Sequence, residues 1–130
     1  MRFALGIVLV TGALLVAGCG ASQRQQVEAK VQEFAHATAS RDYATLCNDV
    51  LAPSLIAHLT AAGLTCKQAM KIFTSSVHQP AIRVTKVSVD GLVASAVVRA
   101  TASGQRASVQ SIQLVKTGHG WRLASLASAR

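Results

Sequence analysis

The side chains of this chain that can do chemistry are few. The most reactive are three thiols, Cys19, Cys47 and Cys66. A thiolate can act as a nucleophile or bind a metal. There is no Cys-x-x-Cys, and His36, His58, His78 and His119 are scattered, so neither a metal centre nor a cofactor site is expected. General acid–base work needs a carboxylate or similar base in an apolar surround. The acids are Glu28, Glu33, Asp42, Asp49 and Asp90. Glu28 and Glu33 fall on the polar side of an amphipathic helix, Asp42 precedes another helix, Asp49 lies opposite Leu46, and Asp90 sits in a turn. None falls in the body of an expected strand. No glycine-rich phosphate loop appears, nor a nucleophile with an evident base. An enzyme is not expected.

Cys19 takes its meaning from what precedes it. Arg2 is a short positive segment, residues 3–16 are uncharged and mostly apolar, and small residues lead up to the cysteine. That is the layout of a secretory signal peptide. Fourteen helical residues would span roughly 21 Å at about 1.5 Å each, short of a hydrocarbon core of about 30 Å, so a transmembrane helix is not expected. No basic cluster follows to stop transfer. Val16-Ala17-Gly18-Cys19 resembles the lipobox of bacterial lipoproteins: an aliphatic residue, two small residues, then cysteine. The resemblance implies cleavage before Cys19, diacylglycerol on its thiol, and acyl chains such as palmitate that hold the protein on the extracytoplasmic side of a cell membrane. Two or more chains anchor durably, where a single one binds only marginally. The expected organisation is a cleaved signal over 1–18, a lipidated polar tether over 19–26, and one domain over 27–130. With Cys19 lipidated, Cys47 and Cys66 remain as a pair, and an extracytoplasmic compartment permits a disulfide between them. Two buried free thiols, or a redox or metal pair, are the alternatives.

Without Arg2 the chain keeps 12 basic and 5 acidic side chains, a net charge of +7. Such a surplus suits an anionic membrane face or an acidic wall polymer. Nucleic acid is not an expected partner. The basic residues are dispersed singly, aromatics for stacking are few, and export separates the domain from genomic DNA.

The elements that position these residues divide at Pro80. Before it, Val27, Val31, Phe34, Ala35 and Thr38 mark one face of a first helix. Asp42 is an N-cap for a second helix over 43–51, with Leu46, Cys47, Val50 and Leu51 inward. Pro53 opens a third helix anchored by Leu55, Ile56 and Leu59 and stopped by Gly63. Thr65 caps a fourth over 66–77, packed through Ala69, Met70, Ile72 and Phe73. After Pro80, four strands are expected over 81–89, 92–101, 105–116 and 120–126. Asp90-Gly91 is a tight-hairpin signal, and Ser103-Gly104 and Gly118-His119-Gly120 mark the next turns. Short turns imply an antiparallel meander, and helices followed by a sheet make an α+β fold. The alternation of apolar residues slips phase between Val84 and Val87, between Val109 and Ile112, and between Leu123 and Leu126. Bulges absorb such slips and bend a sheet, so a curved sheet is expected.

Helices on a curved antiparallel sheet, an Asp-aromatic pair at Asp42-Tyr43, and a last strand starting Gly120-Trp121-Arg122-Leu123 resemble the nuclear transport factor 2-like superfamily over about 27–127. The resemblance implies a cone-like sheet with a pocket between its concave face and the helices. Members include ketosteroid isomerases and polyketide cyclases as well as ligand- and partner-binding proteins. Phe34, Phe73, Tyr43 and Trp121 are the candidates to frame that pocket; all four can instead be core, which is the expectation for Phe34 and Phe73, while Trp121 stays open. The expected function is a membrane-anchored lipoprotein whose non-catalytic domain binds a small apolar ligand or a protein partner of the envelope. The alternatives are an accessory protein acting through its basic surface and, third, an isomerase- or cyclase-like enzyme.

Overall fold

A computed structural model of the protein describes residues 19–126, with side chains from Gln23 onward. The signal residues, Val16-Ala17-Gly18 of the lipobox-like motif and the Cys19 side chain lie outside the described residues.

Helix α1 runs Cys19–Ser40. The polar stretch expected as a tether is therefore helical backbone, continuous with the domain. Its apolar period begins only at Val27, but Gln23 is already fixed by tertiary contacts described below. Val27, Val31, Phe34, Ala37 and Thr38 are buried along one face. The helix ends in a Schellman arrangement: Asp42 N–H donates to the Ala37 carbonyl (2.9 Å) and Arg41 N–H to that of Thr38 (3.2 Å). Arg41 occupies the left-handed position at φ 54°, where glycine is usual.

The second helical segment is shorter and more irregular than its sequence predicts. Asp42 caps it, accepting from Thr45 N–H (3.1 Å) and from the Thr45 hydroxyl (2.7 Å). After α2 (Tyr43–Thr45) the chain widens into a π turn, Leu46–Val50, closed by Leu51 N–H to the Leu46 carbonyl (2.9 Å). Widening a helix frees carbonyls that must find partners. Those of Asn48 and Asp49 accept from Arg122 (2.6 Å) and Lys30 (3.0 Å). The turn also buries Leu46, Val50 and Leu51 and docks on the sheet, where Ala52 N–H donates to the Leu123 carbonyl (2.8 Å).

Helix α3 (Pro53–Ala61) starts on proline at its first turn, as expected, and Gly63 follows it at φ 84°. Helix α4 (Cys66–Thr74) has a full capping box between Thr65 and Gln68. It stops three residues short of the expected end. Ala69, Met70 and Thr74 form its buried face, while Ile72 is 63% exposed and Phe73 39% exposed. The disulfide Cys47–Cys66 joins the π turn to the start of α4.

The sheet is an antiparallel meander of β1 (Ala81–Asp90), β2 (Val93–Thr101), β3 (Ser108–Thr117) and β4 (Gly120–Leu123), in that spatial order. The hairpin between β1 and β2 pairs Asp90 with Val93, so its two loop residues are Gly91 and Leu92, one later than the Asp-Gly signal implies. Gly91 takes φ 58° at the first loop position, the place where that turn requires glycine. The first phase slip is a bulge, with the β1–β2 register shifting between Val84 and Lys86. The third falls where β4 ends: Ala124 and Ser125 N–H both point to the Gln113 carbonyl, two residues against one. The second is not a bulge. Register between β2 and β3 is unbroken, and the concave face of β3 reads Ser108, Gln110, Ile112, Leu114. Val109 points outward and is 60% exposed. Helix α1 crosses this concave face in contact with β1, β2 and β4, and the core lies between them. Among the described residues no helix is long and apolar enough to cross a membrane.

Candidate functional site

The concave face is not filled along its whole length. On β2 it presents Ala94, Ala96, Val98 and Ala100, and toward the β2–β3 turn β3 offers only Ser108 and Gln110 opposite them. Small and polar residues there leave a space that α1 and α4 do not close. The result is a cavity of about 180 Å³. Buried Phe34, Thr38, Val98 and Ile112 form its floor, and exposed Phe73, Gln105 and Arg106 stand at its rim. The rings of Phe34 and Phe73 lie 6.4 Å apart at 41°, a tilted aromatic pair along one wall.

The polar groups of this cavity are sparse. Thr38 is 5% exposed, lines the cavity, and its hydroxyl has no hydrogen-bond partner. A helical threonine commonly returns its hydroxyl to a carbonyl one turn back; this one does not. A buried hydroxyl left unpaired costs about 1–3 kcal/mol. Gln110 Nε2 donates to Ser108 Oγ (2.8 Å) on the sheet side. Gln105 Nε2 donates to the Ser76 carbonyl (2.9 Å), tying the β2–β3 turn to the segment after α4. Among the described residues no acid and no histidine lines the cavity, and Arg106 is its sole charged residue.

Of the four aromatic residues singled out from sequence, the structure brings Phe34 and Phe73 together at the cavity and places the other two elsewhere. The Tyr43 hydroxyl lies 3.3 Å from that of Thr74, outside the cavity lining. Because Thr74 donates to the Met70 carbonyl (2.9 Å), Tyr43 is the donor of that pair. Trp121 is 2% exposed and belongs to the core. Its Nε1–H donates to Gln23 Oε1 (2.9 Å), which also accepts from Lys116 Nζ (3.1 Å). This pin fixes the first described turns of α1 to β3 and β4. Cys47 and Cys66 form the disulfide and stand half-buried beside the core.

Thr38, Arg106, Ser108 and Gln110 are site residues that no motif in the sequence marks. Thr38 is visible in the sequence only as part of the inner helical stripe. For Ser108 and Gln110 the signal is their spacing: they stand at even steps from Ile112 and Leu114, polar residues on an otherwise apolar face. Arg106 reads as a strand residue from sequence, whereas β3 begins at Ser108 and leaves it on the turn at the cavity mouth.

No protein-family model matches this sequence, and no curated protein matches it. A crystal structure of a nuclear transport factor 2-like protein of unknown function from Shewanella baltica is similar in fold, with a TM-score of 0.61 at 9% identity over 85% of this chain and 96% of that one. At such identity the likeness speaks to architecture alone. Four helices against a curved four-stranded antiparallel sheet, with a cavity at one end of the concave face, thus constitute a nuclear transport factor 2-like fold.

Proposed function

We propose that the protein is a membrane-anchored extracytoplasmic lipoprotein whose non-catalytic domain binds a small apolar ligand in the cavity between α1, α4 and the sheet. The observation that carries the ligand reading is the cavity itself: an apolar floor of Phe34, Val98 and Ile112 around one unpaired buried hydroxyl, that of Thr38. Ligand sites are typically apolar with a few placed polar groups. The described lining residues, apolar or neutral apart from Arg106, favour binding over acid–base chemistry.

The anchor rests on the lipobox-like motif ending in Cys19. Gln23 lies four positions after Cys19, about 6 Å of helix. Because Gln23 is pinned to Trp121 and Lys116, a lipid on Cys19 would hold the domain against the membrane rather than on a long leash. Cys19→Ser tests this half. Metabolic labelling with palmitate should mark the wild-type protein and not the variant, and the variant should leave the membrane fraction. A variant that keeps both label and membrane association refutes the anchor.

A further inference from the structure

Given the ligand-binding reading above, the chemistry of the cavity narrows the ligand further. The volume comes first. About 180 Å³ is close to that of an engineered apolar cavity of about 150 Å³ that holds benzene, and below the range of about 300–1,000 Å³ usual for larger ligands. A steroid or a long acyl chain does not fit inside it. One aromatic ring fits against Phe34 and Phe73.

Charge comes second. Among the described residues the lining carries no acid, and its one charge is the guanidinium of Arg106 at the mouth. Among the described residues the one ion pair is Lys30–Glu33, on α1, so no carboxylate of the described protein neutralises Arg106. Arginine presents a planar fork of donors that matches a carboxylate. Beside it, Ser108 Oγ accepts from Gln110 and keeps its own proton to donate.

The unpaired hydroxyl comes third. Thr38 sits on the floor with neither donor nor acceptor satisfied. It is the feature an apolar ligand alone leaves unexplained, and a ligand oxygen at the inner end of the molecule supplies its partner.

We propose that the cavity binds a small aromatic carboxylate bearing a polar oxygen opposite its carboxylate. The ring lies against Phe34 and Phe73, the carboxylate faces Arg106, and the oxygen pairs with Thr38. The probes that test this are 4-hydroxybenzoate and its uncharged counterpart, 4-hydroxybenzyl alcohol, titrated calorimetrically against the folded protein released from its anchor.

The anion should bind at least about tenfold more tightly than the alcohol. Arg106→Gln should remove that preference, while Arg83→Gln, on the outer face of β1, should leave it intact and so control for net charge. Thr38→Val should weaken both probes about three- to tenfold while raising the melting temperature of the empty protein, since the unpaired hydroxyl is gone. A purely structural role for Thr38 would not give that opposition. Equal affinity for anion and alcohol would overturn the carboxylate inference and leave the cavity reading standing, as would an Arg106→Gln variant that keeps the preference. Failure of both probes to bind at about 10 mM, an interaction weaker than about 3 kcal/mol, would overturn the cavity reading with it.

Discussion

Breaking the Cys47–Cys66 bond should cost this domain a large share of its stability. The two cysteines are 19 residues apart and enclose α3. Closing a loop of about 20 residues restricts the unfolded chain by about 11 cal/mol/K in the chain-entropy model, or about 3.3 kcal/mol at 25 °C. Net stabilities of such domains run only about 5–15 kcal/mol. The test is urea denaturation followed by the fluorescence of Trp121, the sole tryptophan. With a slope of about 1.5 kcal/mol/M, the midpoint of the Cys47→Ala/Cys66→Ala double variant should fall by about 2 M. Reduced wild-type protein should show nearly the same fall, because the shared change is loss of the cross-link rather than of side-chain packing. The slope should also be steeper without the bond, since an uncross-linked unfolded chain exposes more surface. A fall under about 1 kcal/mol in both comparisons would refute the entropy argument for this loop. Two freely alkylated thiols in the native protein would refute the bond itself.

Three further outcomes follow from particular contacts. Gln23→Ala strands the buried indole N–H of Trp121 and should cost about 1–3 kcal/mol in the same urea assay; an unchanged midpoint would show that residues before Val27 are not part of the folded unit. Arg41→Gly should raise stability by up to about 1 kcal/mol, because glycine takes φ 54° without the Cβ clash; a loss of stability would mean that the guanidinium contact with the Val77 carbonyl (3.4 Å) outweighs the strain. The Thr45 hydroxyl and then the Thr45 N–H hold the Asp42 carboxyl below its ordinary value. Its stabilising contribution should therefore be complete above about pH 4 and vanish as the pH falls through the lowered folded-state value. A carboxyl NMR titration of Asp42 with its midpoint at or above the ordinary value would contradict the cap.

How much of this was legible in the sequence depends on which force sets each feature. The α+β order, the helix starts at Asp42, Pro53 and Thr65, and the meander are local: caps, proline and turn residues specify them within a few positions. The bulge between Val84 and Lys86 is legible too, since a buried face forces the apolar phase to shift with the register. The same logic misreads β3. There the change at Ile112 is not a slip but a patch of polar residues, Ser108 and Gln110, facing the cavity in perfect register. Periodicity treats a polar residue as outward, and a polar group on the wall of a cavity defeats that assumption. The aromatics divide, Phe34 and Phe73 to the cavity and Tyr43 and Trp121 away from it, for a related reason. Whether Phe73 packs in the core or borders an opening depends on where α4 ends, which tertiary contacts decide. Trp121 is settled by a partner ninety-eight residues away, Gln23, that no window of sequence connects to it. That contact also explains why a polar stretch resembling a tether is helix: its stabilisation comes from β3 and β4 rather than from an apolar stripe of its own.

The account stands on a lipid-anchored domain with an occupied cavity, and one measurement addresses both parts. Native mass spectrometry of the protein extracted from its own membranes should show a polypeptide beginning at Cys19, carrying the covalent mass of a diacylglyceryl group with its acyl chains, and a non-covalent small-molecule adduct that collisional activation removes. An unacylated polypeptide with no adduct would contradict both the anchor and the ligand.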